Sequence, residues 1–253
     1  MTQIALITGA TSGFGKSCAA RFSDSGWDLV LVGRRQERLE ALKAEFEKKS
    51  RVHVIPMDVR NRAVVMDRLA HLPEPFQAVD VLINSAGLAL GLEPAHQADP
   101  DDWDTMVDTN IKGLMYCTRT ILPGMVQRNR GHIINMGSVA GTYPYPGGNV
   151  YGATKAFVKQ FSRNLRADIL GANVRVTNIE PGMAQTEFSV VRFKGSTPKA
   201  DDVYQNTTPL TGDDIARIVF FVATLPAHIN INALEVMPVC QAWGPFAVHR
   251  SPA

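Results

Sequence analysis

The sequence predicts a single α/β domain built on a parallel sheet of about seven strands, with helices on both faces. Three observations lead to this fold class. Short apolar runs alternate with longer segments of helical periodicity along the chain, which is the pattern of strand–helix–strand units. A chain of 253 residues can bury a large core and still form one domain. No repeat, low-complexity tract or flexible linker divides it, so we expect one domain over 1–253.

The predicted elements alternate from the start of the chain. An apolar run at 3–8 is the first strand, and a helix at 13–25 follows it. Further strands are predicted at 28–33, 51–56, 79–84, 131–137, 173–179 and 232–237. Further helices are predicted at 36–48, 61–71, 102–128, 149–170 and 211–224. Because strands that are buried on both faces are almost continuously apolar, we expect a doubly wound sheet of the Rossmann type.

The segment between the first strand and the first helix predicts a phosphate-binding loop. Its glycines have the spacing Gly-x-x-x-Gly-x-Gly, and glycine lets a backbone approach an anion at a helix N-terminus. A rival interpretation is a P-loop ending in Gly15-Lys16-Ser17, but that motif needs glycine where the chain has Ala10. We therefore expect a dinucleotide cofactor here. The expected contacts are Gly9, Thr11, Ser12, Gly13, Phe14 and Gly15.

The end of the second predicted strand indicates which dinucleotide binds. An acidic residue at this point would bond the ribose 2′-hydroxyl of NAD, but the chain has Arg34 and Arg35. The planar, charged guanidinium group suits a 2′-phosphate. The sequence therefore favours NADP(H). The alternative is that the arginines only begin the next helix, with Glu37 and Glu40 as partners.

Tyr151, Lys155 and Ser138 have the pattern of a proton-transfer site. Four residues are about one helical turn, so the tyrosine and the lysine share a face. A cation there is expected to lower the pKa of the phenol from its usual value of ~10. Ser138, at a predicted strand end, could hydrogen-bond a carbonyl or alcohol oxygen. Beside a dinucleotide, the three predict proton transfer to or from an oxygen while a hydride moves.

Together these segments resemble the short-chain dehydrogenase/reductase family over nearly the whole chain. The resemblance implies that Asn110 joins Ser138, Tyr151 and Lys155 as a catalytic residue and helps to hold a proton-relay water. Ser85 departs from the family's Asn-Asn-Ala-Gly turn. Further cofactor contacts implied by the resemblance are Asp58, Val59, Asn84, Ala86, Gly87, Tyr151, Lys155, Pro181, Gly182 and Thr186.

Four longer stretches resemble one branch of this family. They are 84–91, 145–152, 187–195 and 225–232. That branch oxidises serine, allo-threonine and other 3-hydroxy acids with NADP, and its members reduce malonic semialdehyde. Very similar enzymes reduce sulfoacetaldehyde to isethionate. The resemblance therefore implies a small substrate with an acid group near its carbonyl, and leaves carboxylate and sulfonate both open.

The predicted substrate contacts divide into two groups. Ser138 and Tyr151 are expected to meet the reacting oxygen. Arg192 follows the segment that closes over the cofactor, and its guanidinium could hold a carboxylate or sulfonate. Lys194 is a second candidate for the anion. Either Tyr143 or Tyr145 could line the pocket, and Tyr145 is favoured. The alternative is that this basic segment is only a solvated loop.

Composition and charge give no support for nucleic-acid binding, membrane association or a metal site. The net charge is +2 with both signs well mixed, which gives no electrostatic reason to expect nucleic acid or an anionic membrane as a partner. No apolar run is long enough for a membrane span, and the start lacks the features of a signal peptide. Cys18, Cys117 and Cys240 are scattered, which fits reduced thiols in the cytoplasm and no metal site.

The C-terminal tail, about 238–253, is unusually apolar. It would expose Trp243 and Phe246 on a monomer, so we expect it at a subunit interface of a homotetramer. A protein of another class, an NADP-sensing regulator without catalytic activity, would keep the cofactor site. The presence of all four predicted catalytic residues argues against that alternative.

Overall fold

A computed structural model describes residues 2–244, and its fold class is the predicted one. Seven parallel strands form one sheet in the order β3-β2-β1-β4-β5-β6-β7. They are β1 Ile4–Thr8, β2 Asp28–Gly33, β3 Val52–Pro56, β4 Val81–Asn84, β5 Gly131–Met136, β6 Val174–Pro181 and β7 Ala233–Val236. Strand order reverses between β1 and β4, which opens a crevice at their carboxyl ends where such sheets bind ligands.

Helices cover both faces of the sheet. They are α1 Gly13–Asp24, α2 Gln36–Phe46, α3 Arg62–Ala70, α4 Pro100–Val107, α5 Leu114–Gln127, α6 Asn149–Asp168, α7 Glu187–Arg192, α8 Thr197–Asp202 and α9 Gly212–Thr224. Alternate residues of β1 face opposite sides: Ile7 packs with α1, α2 and α9, and Leu6 packs with α3, α5 and α6. Two apolar cores therefore fix the sheet between them. Within residues 2–244, no helix has the length and apolar character needed to cross a membrane.

The helix predicted at 102–128 is more complex than the sequence indicated. It begins earlier, at α4, where Asp99 caps the first turn through the N–H of Asp101. A π-helical turn at Asp108–Gly113 then separates α4 from α5. Such turns are rare and occur mostly at functional sites. Hydrophobic periodicity gives no signal for this turn, which contains Asn110.

Two short helices after β6 were not predicted. Thr186 caps the N-terminus of α7: its hydroxyl accepts a hydrogen bond from the N–H of Phe188 at 3.2 Å. Each of α7 and α8 has six residues, which is too short for a helical period to appear in the sequence. The two helices form a segment over the carboxyl end of the sheet.

Candidate active site

The glycine loop lies between β1 and α1 and presses against the turn after β4. Gly9 has a φ of +68°, and a Cβ atom there would lie 2.9 Å from the Cα of Ala86. A Cβ on Gly15 would overlap the carbonyl oxygen of Gly9. Both positions therefore require glycine. The loop ends at the amino terminus of α1, where free N–H groups suit a pyrophosphate.

The turn after β4 is held by a residue that the sequence interpretation did not place in the site. The hydroxyl of Thr8 accepts hydrogen bonds from the N–H groups of Ser85 at 3.1 Å and Ala86 at 3.0 Å. The side-chain amide of Asn84 donates to Thr118 at 3.0 Å and to Asn135 at 2.9 Å, so this side chain braces β4. Contact of Asn84 with the cofactor stays a prediction.

A cluster of arginines lies at the end of β2. The guanidinium of Arg35 donates twice to the hydroxyl of Thr11, at 3.1 and 2.9 Å, and once to Glu187 at 2.9 Å. Arg38, which was not predicted, donates to the same carboxylate at 2.6 Å. Arg35 therefore faces the glycine loop and does not pair with Glu37 or Glu40. The arrangement fits a phosphate group at the ribose end of a dinucleotide.

The residues after β3 occupy the neighbouring edge of the crevice. The carboxylate of Asp58 pairs with Arg60 at 2.6 Å, and Val59 is buried against the π-helical turn at Gly113. Arg60 was not predicted. Its pairing fixes the Asp58 carboxylate at this edge, where the sequence predicted contact with the adenine.

Tyr151 and Lys155 lie on one face of α6, as predicted, and both are buried. The Lys155 ammonium lies 5.8 Å from the centre of the Tyr151 ring and donates to the carbonyl of Met136 at 2.8 Å. Burial raises the pKa of Tyr151 to about 12, and burial lowers the pKa of Lys155 to about 8.

The groups that favour the phenolate differ from the prediction. Ser138, just after β5, lies beside the phenol and lowers the pKa of Tyr151, and the charge of Arg192 lowers it further. Lys155, which was expected to do this, directs its ammonium to Met136 instead. In this structure neither effect outweighs burial, so the phenol holds its proton at neutral pH.

Asn110 lies beside Lys155, near Gly87. Its amide oxygen accepts from the N–H of Leu88 at 2.9 Å. Its amide nitrogen donates to the Leu88 carbonyl at 2.8 Å and to Thr154 at 3.0 Å. Both N–H groups are therefore used, and the side chain links the turn after β4 to α6. The role of Asn110 at a relay water stays a prediction.

Arg192, the last residue of α7, lies over the Tyr151 ring. Its guanidinium carbon is 5.2 Å from the Tyr151 ring centre, 4.9 Å from that of Phe188 and 5.9 Å from that of Tyr145. One terminal nitrogen donates to the Tyr145 hydroxyl at 3.1 Å. The Nε atom is buried, and no residue among 2–244 accepts a hydrogen bond from it. A guanidinium with a buried, unpaired Nε thus lies over the Tyr151 and Phe188 rings.

Two other candidates lie away from this pocket. The ammonium of Lys194, the second candidate for the anion, pairs with Asp102 at 2.9 Å. Tyr143, the alternative to Tyr145 as a pocket residue, donates to Glu235 at 3.3 Å and packs beside Trp243. The partners of Lys194 and Tyr143 are both distant in the sequence, so the sequence alone does not reveal these contacts.

The segment that follows β6 forms one wall of the site. The carbonyl of Pro181 accepts from the Ser138 hydroxyl at 3.4 Å, and the N–H of Gly182 donates to Val236 at 2.7 Å. Thr186 lies against Gly13 of the glycine loop. In the described part of the chain, no three His, Cys, Asp or Glu residues are grouped as metal ligands.

Comparison with known proteins identifies the class. Residues 3–196 match the short chain dehydrogenase family. The chain belongs to this family, as the sequence predicted.

The chain is also similar to individual named proteins. The chain is 59% identical to an NADP-dependent 3-hydroxy acid dehydrogenase of Salmonella typhi, over 98% of this chain and 100% of that one. It is 53% identical to sulfoacetaldehyde reductase 2 of Chromohalobacter salexigens, over 99% of this chain and 100% of the relative. A solved structure, the closed form of serine dehydrogenase complexed with NADP+, superposes with a TM-score of 0.95 at 57% identity, covering 98% of this chain and 100% of that one.

Proposed function

We propose that the protein is an NADP(H)-dependent oxidoreductase that interconverts a small acid-bearing alcohol and its aldehyde or ketone. In this proposal it acts as a 3-hydroxy acid or serine dehydrogenase, or in reverse as a malonic semialdehyde reductase. One observation carries the proposal. The guanidinium of Arg192 lies 5.2 Å from the Tyr151 ring centre, so a cation and a proton-transfer group share one small pocket.

The residues of the crevice fit NADP(H), the cofactor named for the relatives. The glycine loop and the start of α1 would hold the pyrophosphate, and Arg34, Arg35 and Arg38 would hold the 2′-phosphate. Pro181, Gly182 and Thr186 would cover the nicotinamide. When bound, the nicotinamide supplies or accepts the hydride.

Side chains of the protein would carry out the proton transfer. The hydroxyl of Ser138 and the phenol of Tyr151 would bind the substrate oxygen from two sides. Because burial keeps Tyr151 protonated, it is ready to give its proton to a developing alkoxide during reduction. Lys155 would stabilise the phenolate that remains and bond the nicotinamide ribose. Asn110 would position Leu88 and α6 around this centre.

The acid group of the substrate would pair with Arg192. Guanidinium binds carboxylate and sulfonate oxygens through charge-assisted hydrogen bonds, and the free Nε supplies one donor. Tyr145 fixes the guanidinium from the other side. A second candidate function, sulfoacetaldehyde reductase forming isethionate, is favoured by the likeness to the Chromohalobacter enzyme. In either case Arg192 would favour substrates that carry an acid group.

Steady-state oxidation of NADPH tests the proposal, with malonic semialdehyde and sulfoacetaldehyde compared side by side. Serine, 3-hydroxypropionate and isethionate with NADP+ test the reverse direction. The proposal expects turnover with at least one acid-bearing aldehyde. It also expects Arg192→Ala to raise the KM for that aldehyde by about ten-fold or more, since a charge-assisted bond is lost. An unchanged KM would remove Arg192 from the substrate site.

The assembly and the cellular compartment form part of the same proposal. We propose a homotetramer in the cytoplasm, in which the apolar tail from about residue 238 packs on a neighbouring subunit. Trp243 is 63% exposed within one chain, which leaves an indole available for such an interface. Residues 245–253, including Phe246, lie outside the described part of the chain.

A further inference from the structure

Glu187 joins the helix that carries Arg192 to the arginines at the cofactor end of the site. It is the first residue of α7, and its two carboxylate oxygens accept from Arg38 at 2.6 Å and from Arg35 at 2.9 Å. Burial raises the pKa of this carboxyl, but the hydrogen bonds from the two arginines outweigh burial and the pKa is lowered. Glu187 is therefore charged at neutral pH.

The same guanidinium groups are those proposed to bind the 2′-phosphate. Arg35 keeps two hydrogen bonds to Thr11 that do not depend on Glu187. Its orientation is therefore preserved when the carboxylate is absent. A 2′-phosphate carries a charge of about −1.5 to −2 at pH 7, so it competes with Glu187 for donors and is repelled by it.

The opposite end of α7 lies over the pocket. The carbonyl of Arg192 accepts from the N–H of Gly91 at 3.1 Å, and Lys194 pairs with Asp102 just beyond. A helix of six residues has little stability alone, so these end contacts hold it. Removing the contact at Glu187 leaves the N-terminal end of the helix held by the Thr186 cap without the two arginines, and thereby loosens the position of Arg192.

We propose that Glu187 is a positioning residue with two opposed effects: it fixes α7, and thus Arg192, over the substrate, and it weakens binding of the 2′-phosphate on Arg35 and Arg38. This inference rests on the proposed function, which assigns those arginines to the cofactor and Arg192 to the acid group. A residue that only maintained the fold would weaken both ligands together. Loss of the Glu187 charge is expected instead to strengthen cofactor binding and to weaken substrate binding.

The test is Glu187→Gln, which keeps the shape of the side chain and removes its charge. Fluorescence titration should show NADPH binding about three-fold more tightly, while the Kd for NADH changes by less than about two-fold. With NADH as the cofactor, which has no 2′-phosphate to displace Glu187 from the arginines, the KM for the acidic aldehyde should rise about three-fold with kcat nearly unchanged. Asp24→Asn is the matched control, because it removes the carboxylate of an exposed ion pair with Lys49. It should change none of these constants.

Each outcome supports or overturns the inference. A Kd for NADPH that is unchanged or higher in Glu187→Gln overturns it, whatever the substrate kinetics. Combining the change with Arg192→Ala tests the second effect: the KM should then show no further rise, while the tighter NADPH binding remains. A further rise in KM would overturn the positioning role. If Arg192→Ala alone leaves KM unchanged, the proposed substrate site fails, and the NADPH titration still decides whether Glu187 acts on the phosphate.

Discussion

Replacing Lys155 by methionine should stabilise the protein when no cofactor is bound. The ammonium is buried, and its one hydrogen bond to another described residue is to the carbonyl of Met136. Burial lowers the pKa of Lys155 from 10.5 to about 8. At 1.36 kcal/mol for each pKa unit, the difference of about 2.5 units corresponds to about 3 kcal/mol against the charged form in the folded state. Methionine has a similar length and carries no charge.

The net gain is smaller than this value because the hydrogen bond is also lost. A bond to a charged donor contributes about 1.5–3 kcal/mol, so we expect a net stabilisation of about 1 kcal/mol. For a chain of this size that corresponds to a rise in Tm of about 2–4 °C. Activity should be lost at the same time, so the lysine is retained for function at a cost in stability.

The lowered pKa of Lys155 fixes the direction in which stability depends on pH. Between pH 8 and pH 10.5 the unfolded chain holds the lysine proton and the folded chain does not, so the free energy of unfolding rises with pH for the wild type. The advantage of Lys155→Met should therefore be full below pH 8 and shrink as pH approaches 10.5. Thermal unfolding at pH 7 and pH 9.5 measures this.

A second lysine on the same helix supplies the control. Lys159 pairs at 3.0 Å with the buried carboxylate of Glu180, so Lys159→Met leaves that charge without its cation and should destabilise the protein. The reasoning is refuted if Lys155→Met lowers the Tm at pH 7, or if its effect is the same at both pH values.

Four further changes test other parts of the site. Tyr151→Phe removes the proton carrier, so kcat should fall by about 10²- to 10⁴-fold with little change in NADPH affinity; near-full turnover would refute the assignment. Gly9→Ala should abolish NADPH binding in fluorescence titration, because a Cβ there lies 2.9 Å from Ala86; normal affinity would contradict this. Arg35→Ala should weaken NADPH by about ten-fold and NADH much less, as titration of both cofactors would show. Deleting the residues after Pro238 should dissociate the assembly on size-exclusion chromatography, and an unchanged active tetramer would exclude the interface.

The strands and the placement of Tyr151 and Lys155 on one helix could be predicted because their signals are local. Every predicted strand lies within two residues of an observed one, since a buried parallel strand is a continuous apolar run. Tyr151 and Lys155 are four residues apart, so helical geometry alone places them on one face. The glycine loop is equally local, because strand, turn and helix follow one another directly.

The segment formed by α7 and α8 over the carboxyl end of the sheet could not be predicted, because it contacts residues that are distant in the sequence. Glu187 meets Arg35 across 152 positions, and neither residue indicates its partner. The pairing of Lys194 with Asp102 is likewise not visible in the sequence. Arg38 was missed although it stands one turn after Arg35, where helical spacing offered a signal.

Three departures from ordinary folding rules lie together at one end of the sheet. Asn110 lies in a π-helical turn, Lys155 is a buried ammonium, and Arg192 is a guanidinium with a buried free donor. Each of these features costs stability, and a core without function would not keep them together. Their common location is the carboxyl end of β1, β4 and β5, where the strand order reverses. Physical strain and sheet topology therefore point to the same site, independently of any likeness to other proteins.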